Sequence, residues 1–162
     1  MPEYPYVTDE AREAIGKETV TVSDAVSLRH IKEYLAGTGE WDPLYYDEEY
    51  AKQTPYGGVI APPLFHGAIV RRVVPESDLK EDGQYTDIAV RGVFGRTLAG
   101  GISTELFNPI RVGDVITQRT KLVDIQEKQG RSGKLVLCLL EATCTNQRGD
   151  LVAIDKSTLI FR

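Results

Sequence analysis

Residues 57–70 are Gly57-Gly58-Val59-Ile60-Ala61-Pro62-Pro63-Leu64-Phe65-His66-Gly67-Ala68-Ile69-Val70, and this stretch decides the fold. This apolar run, which is opened by two prolines, predicts a central helix over residues 61–74. Before Arg71 and Arg72 the predicted helix has no polar face for solvent. The rest of the chain must therefore wrap around this helix. Gly67 and Ala68 lie in its middle, where small side chains would let a sheet approach closely.

A polar loop precedes the apolar stretch: Gly39-Glu40-Trp41-Asp42-Pro43-Leu44-Tyr45-Tyr46-Asp47. It is crowded with carboxylates and aromatic rings, which a globular protein buries only when something pairs with them. This composition is typical of an active-site segment. It is equally compatible with a surface connection capped by Asp and Pro.

The composition places the chain among ordinary globular proteins and excludes several functions. With 162 residues it fits a single domain over residues 1–162. A net charge of -5 argues against a general nucleic-acid surface. The sequence contains no run of about 20 apolar residues and no signal-peptide pattern at its N-terminus, so we expect a cytoplasmic protein. It also lacks metal-ligand spacing, a phosphate-binding glycine loop and a dinucleotide fingerprint, so we expect no metal and no cofactor.

The spacing of apolar and turn residues predicts the order of the elements. Helices are expected over residues 8–16, from Ser23 or Asp24 to about Ala36, and as one turn over residues 47–52. Strands are expected over residues 17–22, from Ile88 onward, and over residues 115–127, 134–145 and 151–161. Residues 75–87 form an exposed connection, and Cys138 and Cys144 lie too far apart on one strand to bridge.

Long antiparallel strands after an apolar helix predict the fold class. We expect an α+β domain in which a curled antiparallel sheet wraps around the central helix. Such a sheet leaves an open edge that another chain can pair with, so we expect an oligomer.

These residues resemble the MaoC-like hydratases and dehydratases, which have the hotdog fold. The motifs that carry the resemblance are residues 35–40, Asp42-Pro43-Leu44-Tyr45-Tyr46-Asp47, Tyr50-Ala51, Gly58-Val59-Ile60-Ala61-Pro62-Pro63, Pro109-Ile110-Arg111-Val112-Gly113-Asp114 and residues 145–149. The Ala-Pro-Pro entry is similar to the branch with the N-terminal MaoC domain. The resemblance implies action on 2-enoyl or 3-hydroxyacyl thioesters of coenzyme A or acyl carrier protein, with water added or removed.

The resemblance also aligns three functional positions, Glu40, Tyr45 and Pro63, and this chain departs from the family at each. Glu40 stands where the family has a catalytic Asp, Asp42 where it has Asn, and Tyr45 where it has the catalytic His. The family polarises the thioester carbonyl with a glycine N–H at the start of the central helix. Pro63 stands there, and proline has no N–H.

The joint substitutions favour one hypothesis and leave two alternatives. Some family members are heteromers with one degenerate subunit, and the leading hypothesis is that this chain is such a subunit, paired with a catalytically intact MaoC-like partner. The first alternative is a homodimer using Glu40, Tyr45 and His66, although an ordinary phenol is a poor base at neutral pH. The second is an acyl-CoA-binding module without catalysis.

Further residues are candidates for binding the substrate. Trp41, Tyr46 and Tyr56 would line an apolar acyl tunnel with Tyr45. The coenzyme A phosphates would contact basic side chains near predicted strand ends: Arg91, Arg96 and Arg111. Solvated surface arginines explain these three equally well. His66 is a candidate replacement for the missing imidazole, and a hydrogen-bonded core histidine is the simpler interpretation.

Overall fold

The structure is a computed structural model that describes residues 6–79, 90, 92–131 and 133–162, without the side chains of Tyr6 and Phe94. The elements are β1 Tyr6–Val7, α1 Asp9–Glu13, β2 Glu18–Val22, α2 Leu28–Thr38, α3 Glu48–Lys52, α4 Phe65–Ile69, β3 Val93–Phe94, β4 Thr97–Leu106, β5 Thr117–Gly130, β6 Gly133–Thr145 and β7 Leu151–Phe161. Short 3-10 turns occur at Pro43–Tyr45 and Glu76–Asp78. Most of the predicted connection at 75–87 lies outside the described residues.

Five of the strands form one antiparallel sheet in the order β2-β5-β6-β7-β4. In the pairing of β5 with β6, Gly130 lies directly opposite Gly133. Alternate residues of β6 are buried on the core face: Val136, Cys138, Leu140, Ala142 and Cys144. The predicted long strands and the α+β class are therefore confirmed. The pairing of β1 with β3 in a separate two-stranded ribbon was not predicted.

The main core lies between this sheet and the helices α2 and α4. Ile31 and Leu35 of α2, Phe65 of α4, and Ile116 and Val152 from the sheet side of the core are each at most 2% exposed and pack together. The two cysteines remain free thiols, and burial raises the pKa of each to about 11. No helix within the described ranges is long and apolar enough to cross a membrane.

Helix α2 begins later and ends later than the sequence indicated. Its N-cap is Ser27, whose side chain accepts from the His30 N–H while His30 Nδ1 accepts from the Ser27 N–H. The predicted start at Ser23 or Asp24 is wrong, because Ser23 exchanges hydrogen bonds with Ile116 and so extends the sheet edge. The predicted end at Gly37 is also wrong, since Gly39 closes the helix with φ of 76°. The His30 side chain therefore has a structural role in the N-cap of α2.

The central helix α4 is much shorter than the predicted range of residues 61–74. Ala61 is still extended, since its N–H donates to the Ile110 carbonyl, and the following prolines disfavour helical geometry in the residues before them. Leu64 then takes a left-handed conformation with φ of 66°. The expectation of a fully wrapped helix is also wrong, because Gly67 and Ala68 are exposed.

Strand β4 lies at the end of the sheet and pairs only with β7 among the described strands. Ile102 is 69% exposed and Leu106 51% exposed, and Phe107 follows immediately. This edge is thus apolar, lies next to the exposed side of α4, and has no pairing partner among the strands that the structure describes.

Candidate active site

Two concave regions meet at α4. The first, here called the helix cavity, has a volume of about 220 Å³, and its walls include Leu44, Tyr45, Tyr56, Phe65, Phe107 and Val152. The second, here called the edge groove, has a volume of about 640 Å³ and lies between α4 and β4. Its walls include Tyr34, Ala68, Arg71, Ile102, Thr104 and Asp155. His66 and Leu64 contribute to both regions.

A buried polar chain connects α4 to the sheet at this point. His66 Nε2 lies 3.0 Å from Asp155 Oδ2, and Thr104 Oγ1 donates to Asp155 Oδ1 at 2.6 Å. His66 is 3% exposed and Asp155 8% exposed. Thr104 and Asp155 are direct cross-strand partners in β4 and β7, so the carboxylate is fixed from both sides.

The environment of Asp155 determines which nitrogen of His66 carries its hydrogen. Burial raises the pKa of Asp155, but the hydrogen bonds from His66 and Thr104 outweigh burial and hold this pKa below its ordinary value. An ionised carboxylate only accepts hydrogen bonds. Nε2 therefore donates to Asp155, and Nδ1 is the nitrogen left for another group.

Asp155 and Thr104 were not predicted as site residues. Asp155 follows Val152, Ala153 and Ile154 in an apolar strand, and an acid at a core-facing position of such a strand is a signal for a buried polar site. That signal does not reveal the partner, because His66 is 89 positions away.

The acidic residues of the predicted active loop lie outside the walls of both regions. Glu40 is exposed, and Asp42 is exposed with its Oδ1 accepting from the Leu44 N–H at 2.8 Å. Asp42 therefore caps the 3-10 turn. Trp41, 50% exposed, packs edge to face on Tyr46 with ring centroids 5.8 Å apart, so these rings contact each other on the loop.

Three other predicted site residues do meet at the helix cavity: Tyr45, Tyr56 and Pro63. Burial, followed by the negative charges of Asp42 and Glu40, raises the pKa of Tyr45 above its ordinary value. The Tyr45 phenol is therefore neutral at neutral pH and can donate a hydrogen bond. The Pro63 carbonyl accepts from the Tyr34 hydroxyl at 3.4 Å, and its nitrogen has no hydrogen to offer a ligand.

Of the predicted phosphate-binding arginines, Arg96 and Arg111 line neither region. Arg111 Nη2 donates to the Tyr56 carbonyl at 2.7 Å, which ties the loop before α4 to the turn before β5. Arg96 is exposed, and its backbone pairs with that of Arg162. Arg91 lies outside the described residues. Within the described part of the chain, no group of three or more His, Cys, Asp or Glu side chains is arranged to hold a metal ion.

Comparison with known proteins identifies a family over most of the chain. The family model for a FAS1-like dehydratase domain region matches residues 13–155. A UPF0336 protein of Thermobifida fusca is 28% identical over 138 residues, covering 82% of this chain and 80% of that protein. A probable enoyl-CoA hydratase alpha subunit of Thermomonospora curvata is 26% identical over 143 residues, covering 85% of this chain and 45% of that protein.

A solved structure supports the fold. The ChsH1-ChsH2 complex from Mycobacterium tuberculosis contains a chain that superposes with a TM-score of 0.74 at 15% identity, covering 95% of this chain and 96% of that one. An identity this low establishes likeness of fold alone. The expected hotdog fold, with its antiparallel sheet around a central helix, is confirmed.

Proposed function

Because the chain belongs to the MaoC-like hydratase and dehydratase family, we propose that it is the degenerate subunit of an enoyl-CoA hydratase or 3-hydroxyacyl-thioester dehydratase. In this proposal the chain holds part of the acyl thioester, and an intact MaoC-like partner subunit supplies the Asp and His. The observation that carries it is that the three family-aligned positions present no acid–base pair at the helix cavity.

The first of these positions is Glu40. General-base catalysis requires a carboxylate within hydrogen-bond reach of the proton that it removes, about 2.6–3.2 Å or one water away. Glu40 is exposed and lines neither the helix cavity nor the edge groove. In this proposal, Glu40 therefore does not activate a water bound inside the helix cavity.

The other two residues, Tyr45 and Pro63, lie at the helix cavity but lack the required chemical groups. Tyr45 lines the helix cavity, but its raised pKa keeps the phenol protonated at neutral pH, so it is a donor and not a base. Pro63 lies two residues before α4 and stands at the position of the family's oxyanion-stabilising N–H, but proline has no N–H. Both residues can still contact an acyl thioester through their apolar surfaces.

The size of the helix cavity supports a shared binding site. Its volume of about 220 Å³ is below the roughly 300–1,000 Å³ of typical small-molecule pockets. It suits a short acyl segment, and a longer ligand needs walls from another chain. The unpaired β4 edge adjoins both regions through Ile102 and Leu106, and is the proposed contact for the partner.

Two of the proteins that this chain resembles support a two-chain assembly. One relative is named as an alpha subunit, and a fold neighbour was solved as a complex of two named chains. In such an assembly the coenzyme A phosphates would lie outside the helix cavity, where Arg96 and Arg111 are candidate contacts.

The decisive experiment is a hydration assay on the purified chain, first alone and then with an intact MaoC-like subunit. Crotonyl-CoA and longer enoyl-CoA thioesters are followed by loss of the conjugated absorbance. The chain alone is expected to show no hydration activity, and the mixture is expected to be active. Glu40→Gln in this chain should leave the hydration rate of the mixture unchanged. Rapid hydration by the chain alone, with a loss of about 100-fold in Glu40→Gln, would overturn the proposal.

A second candidate function is a self-sufficient hydratase that uses a different acid–base group. The observation in its favour is the buried His66, held by Asp155 at the wall of the helix cavity. This candidate predicts that the chain alone is active and that activity survives Glu40→Gln but is lost in His66→Gln. Tight acyl-CoA binding with no turnover, alone or in the mixture, would instead indicate a binding module.

A further inference from the structure

His66 is an unusual side chain for the place that it occupies. It is 3% exposed, lines both the helix cavity and the edge groove, and is surrounded in the helix cavity by apolar residues such as Phe65, Ile110 and Val152. A polar group in such a wall determines which ligands fit, because an apolar ligand cannot replace its hydrogen bonds to water.

The two nitrogens of the imidazole have different environments. Nε2 is committed to Asp155 at 3.0 Å. Nδ1 is the nitrogen that this contact leaves over, on a side chain that lines both the helix cavity and the edge groove. It is therefore the imidazole nitrogen that remains to pair with a ligand.

The direction of Nδ1 is fixed before a ligand arrives. Asp155 holds the ring through Nε2, and Thr104 holds Asp155 from the neighbouring strand at 2.6 Å. A binding group with a fixed orientation loses little conformational entropy when the ligand binds, so its hydrogen bond contributes more fully to affinity.

On the basis of the proposed function, we propose that His66 is a specificity-determining residue that recognises a hydroxyl group on the acyl chain through Nδ1. The subunit then binds hydroxyacyl thioesters in preference to alkyl or enoyl thioesters of the same length. A hydroxyl pairs with Nδ1 in either protonation state, because it can donate to the lone pair or accept from the N–H. A plain hydrocarbon chain leaves Nδ1 desolvated without a partner.

The test measures binding and not turnover, so it is independent of where the acid–base pair resides. Isothermal titration calorimetry on the full chain compares butyryl-CoA, crotonyl-CoA and 3-hydroxybutyryl-CoA. The hydroxyl ligand is expected to bind about tenfold more tightly than the other two, which is the effect of one well-formed hydrogen bond.

Two substitutions at the same position separate the roles of the two nitrogens. In His66→Gln the longer amide can still reach Asp155 in place of Nε2 but leaves nothing at the Nδ1 position, so the tenfold preference is expected to disappear. In His66→Asn the shorter amide places a polar group near the Nδ1 position and loses Asp155, so part of the preference should remain. His30→Gln, which alters the capping histidine of α2, is the control and should keep the full preference.

Each outcome bears on the proposal in a distinct way. Equal affinity of the wild-type chain for all three thioesters overturns the role of His66 while leaving the proposed function intact, and this comparison needs no variant to fold. A preference that persists in His66→Gln overturns it as well. If no acyl-CoA binds to the wild-type chain, alone or with its partner subunit, the proposed function fails and this inference fails with it.

Discussion

The His66 imidazole on α4 lies 3.0 Å from the Asp155 carboxylate on β7, and this hydrogen bond joins two segments 89 residues apart. Both groups are buried, so the pair ties the central helix to the sheet at the point where the helix cavity and the edge groove meet.

The first prediction concerns acid stability. Because its pKa is lowered in the folded state, Asp155 stabilises the fold above its unfolded pKa of about 3.9. That contribution is lost as the pH falls through the lower folded value. Asp155→Ala should therefore reduce the free energy of unfolding by about 3 kcal/mol at pH 7, and the difference from wild type should shrink on acidification from about pH 5 to pH 2. Urea unfolding across this range measures it.

Asp24→Asn provides the control for this experiment, since Asp24 is an exposed carboxylate. It should lie within about 0.5 kcal/mol of wild type at every pH. If the difference in the free energy of unfolding between Asp155→Ala and wild type stayed constant down to pH 2, it would contradict the assigned charge of Asp155.

The second prediction tests the end of α2 with two glycines. Gly37 lies inside the helix and its Cβ position is empty, so Gly37→Ala should stabilise the protein by about 1 kcal/mol. Gly39 has φ of 76°, so Gly39→Ala should destabilise it by about 1 kcal/mol despite equally open space. Thermal melts distinguish the observed helix end at Gly39 from an end at Gly37. A helix that ended at Gly37 would make Gly37→Ala destabilising and Gly39→Ala stabilising.

The third prediction concerns the buried carboxylate of Asp114. It is 2% exposed, accepts from the Arg111 N–H at 2.8 Å and pairs with Arg148 Nη1 at 3.0 Å. Asp114→Ala removes these contacts and the 3.4 Å hydrogen bond from Gln147 Nε2, and it leaves the Arg111 N–H without its acceptor, so it should cost about 3 kcal/mol. Arg148 is half exposed, and Arg148→Ala leaves the Arg111 contact in place, so its cost should be nearer 1 kcal/mol. Similar losses from the two variants in chemical denaturation would refute this asymmetry.

The fourth prediction addresses the proposed partner contact. Ile102 is 69% exposed on the unpaired edge strand β4, and Ile102→Lys should prevent association with a partner chain while leaving the melting temperature of the isolated chain nearly unchanged. Val20 is 48% exposed on β2 at the opposite end of the sheet, and Val20→Lys should leave association intact. Light scattering after size-exclusion chromatography distinguishes the variants. Association that survives Ile102→Lys but is lost in Val20→Lys would place the partner at the other edge.

Local sequence patterns determined the elements that depend on local interactions. Alternation of apolar residues predicted strands β5, β6 and β7 within a few residues, because the two faces of a strand have different environments. The motifs from Asp42 to Asp47 and from Gly58 to Pro63 identified the family, and the substitutions Glu40, Tyr45 and Pro63 are visible without a structure.

Tertiary contacts decided the remaining features of the fold and of the site, because the residues that make these contacts are distant from each other in the chain. The start of α2 was misplaced since Ser23 pairs with Ile116, 93 positions away, and no pattern near Ser23 shows this. The length of α4 was overestimated because an apolar run does not reveal that Ala61 is held by Ile110 in extended geometry. The sequence by itself thus determined the family, the sheet and the altered loop. Only the tertiary structure placed His66 against Asp155, because packing α4 on β7 and β4 brings those two side chains and Thr104 within hydrogen-bond distance.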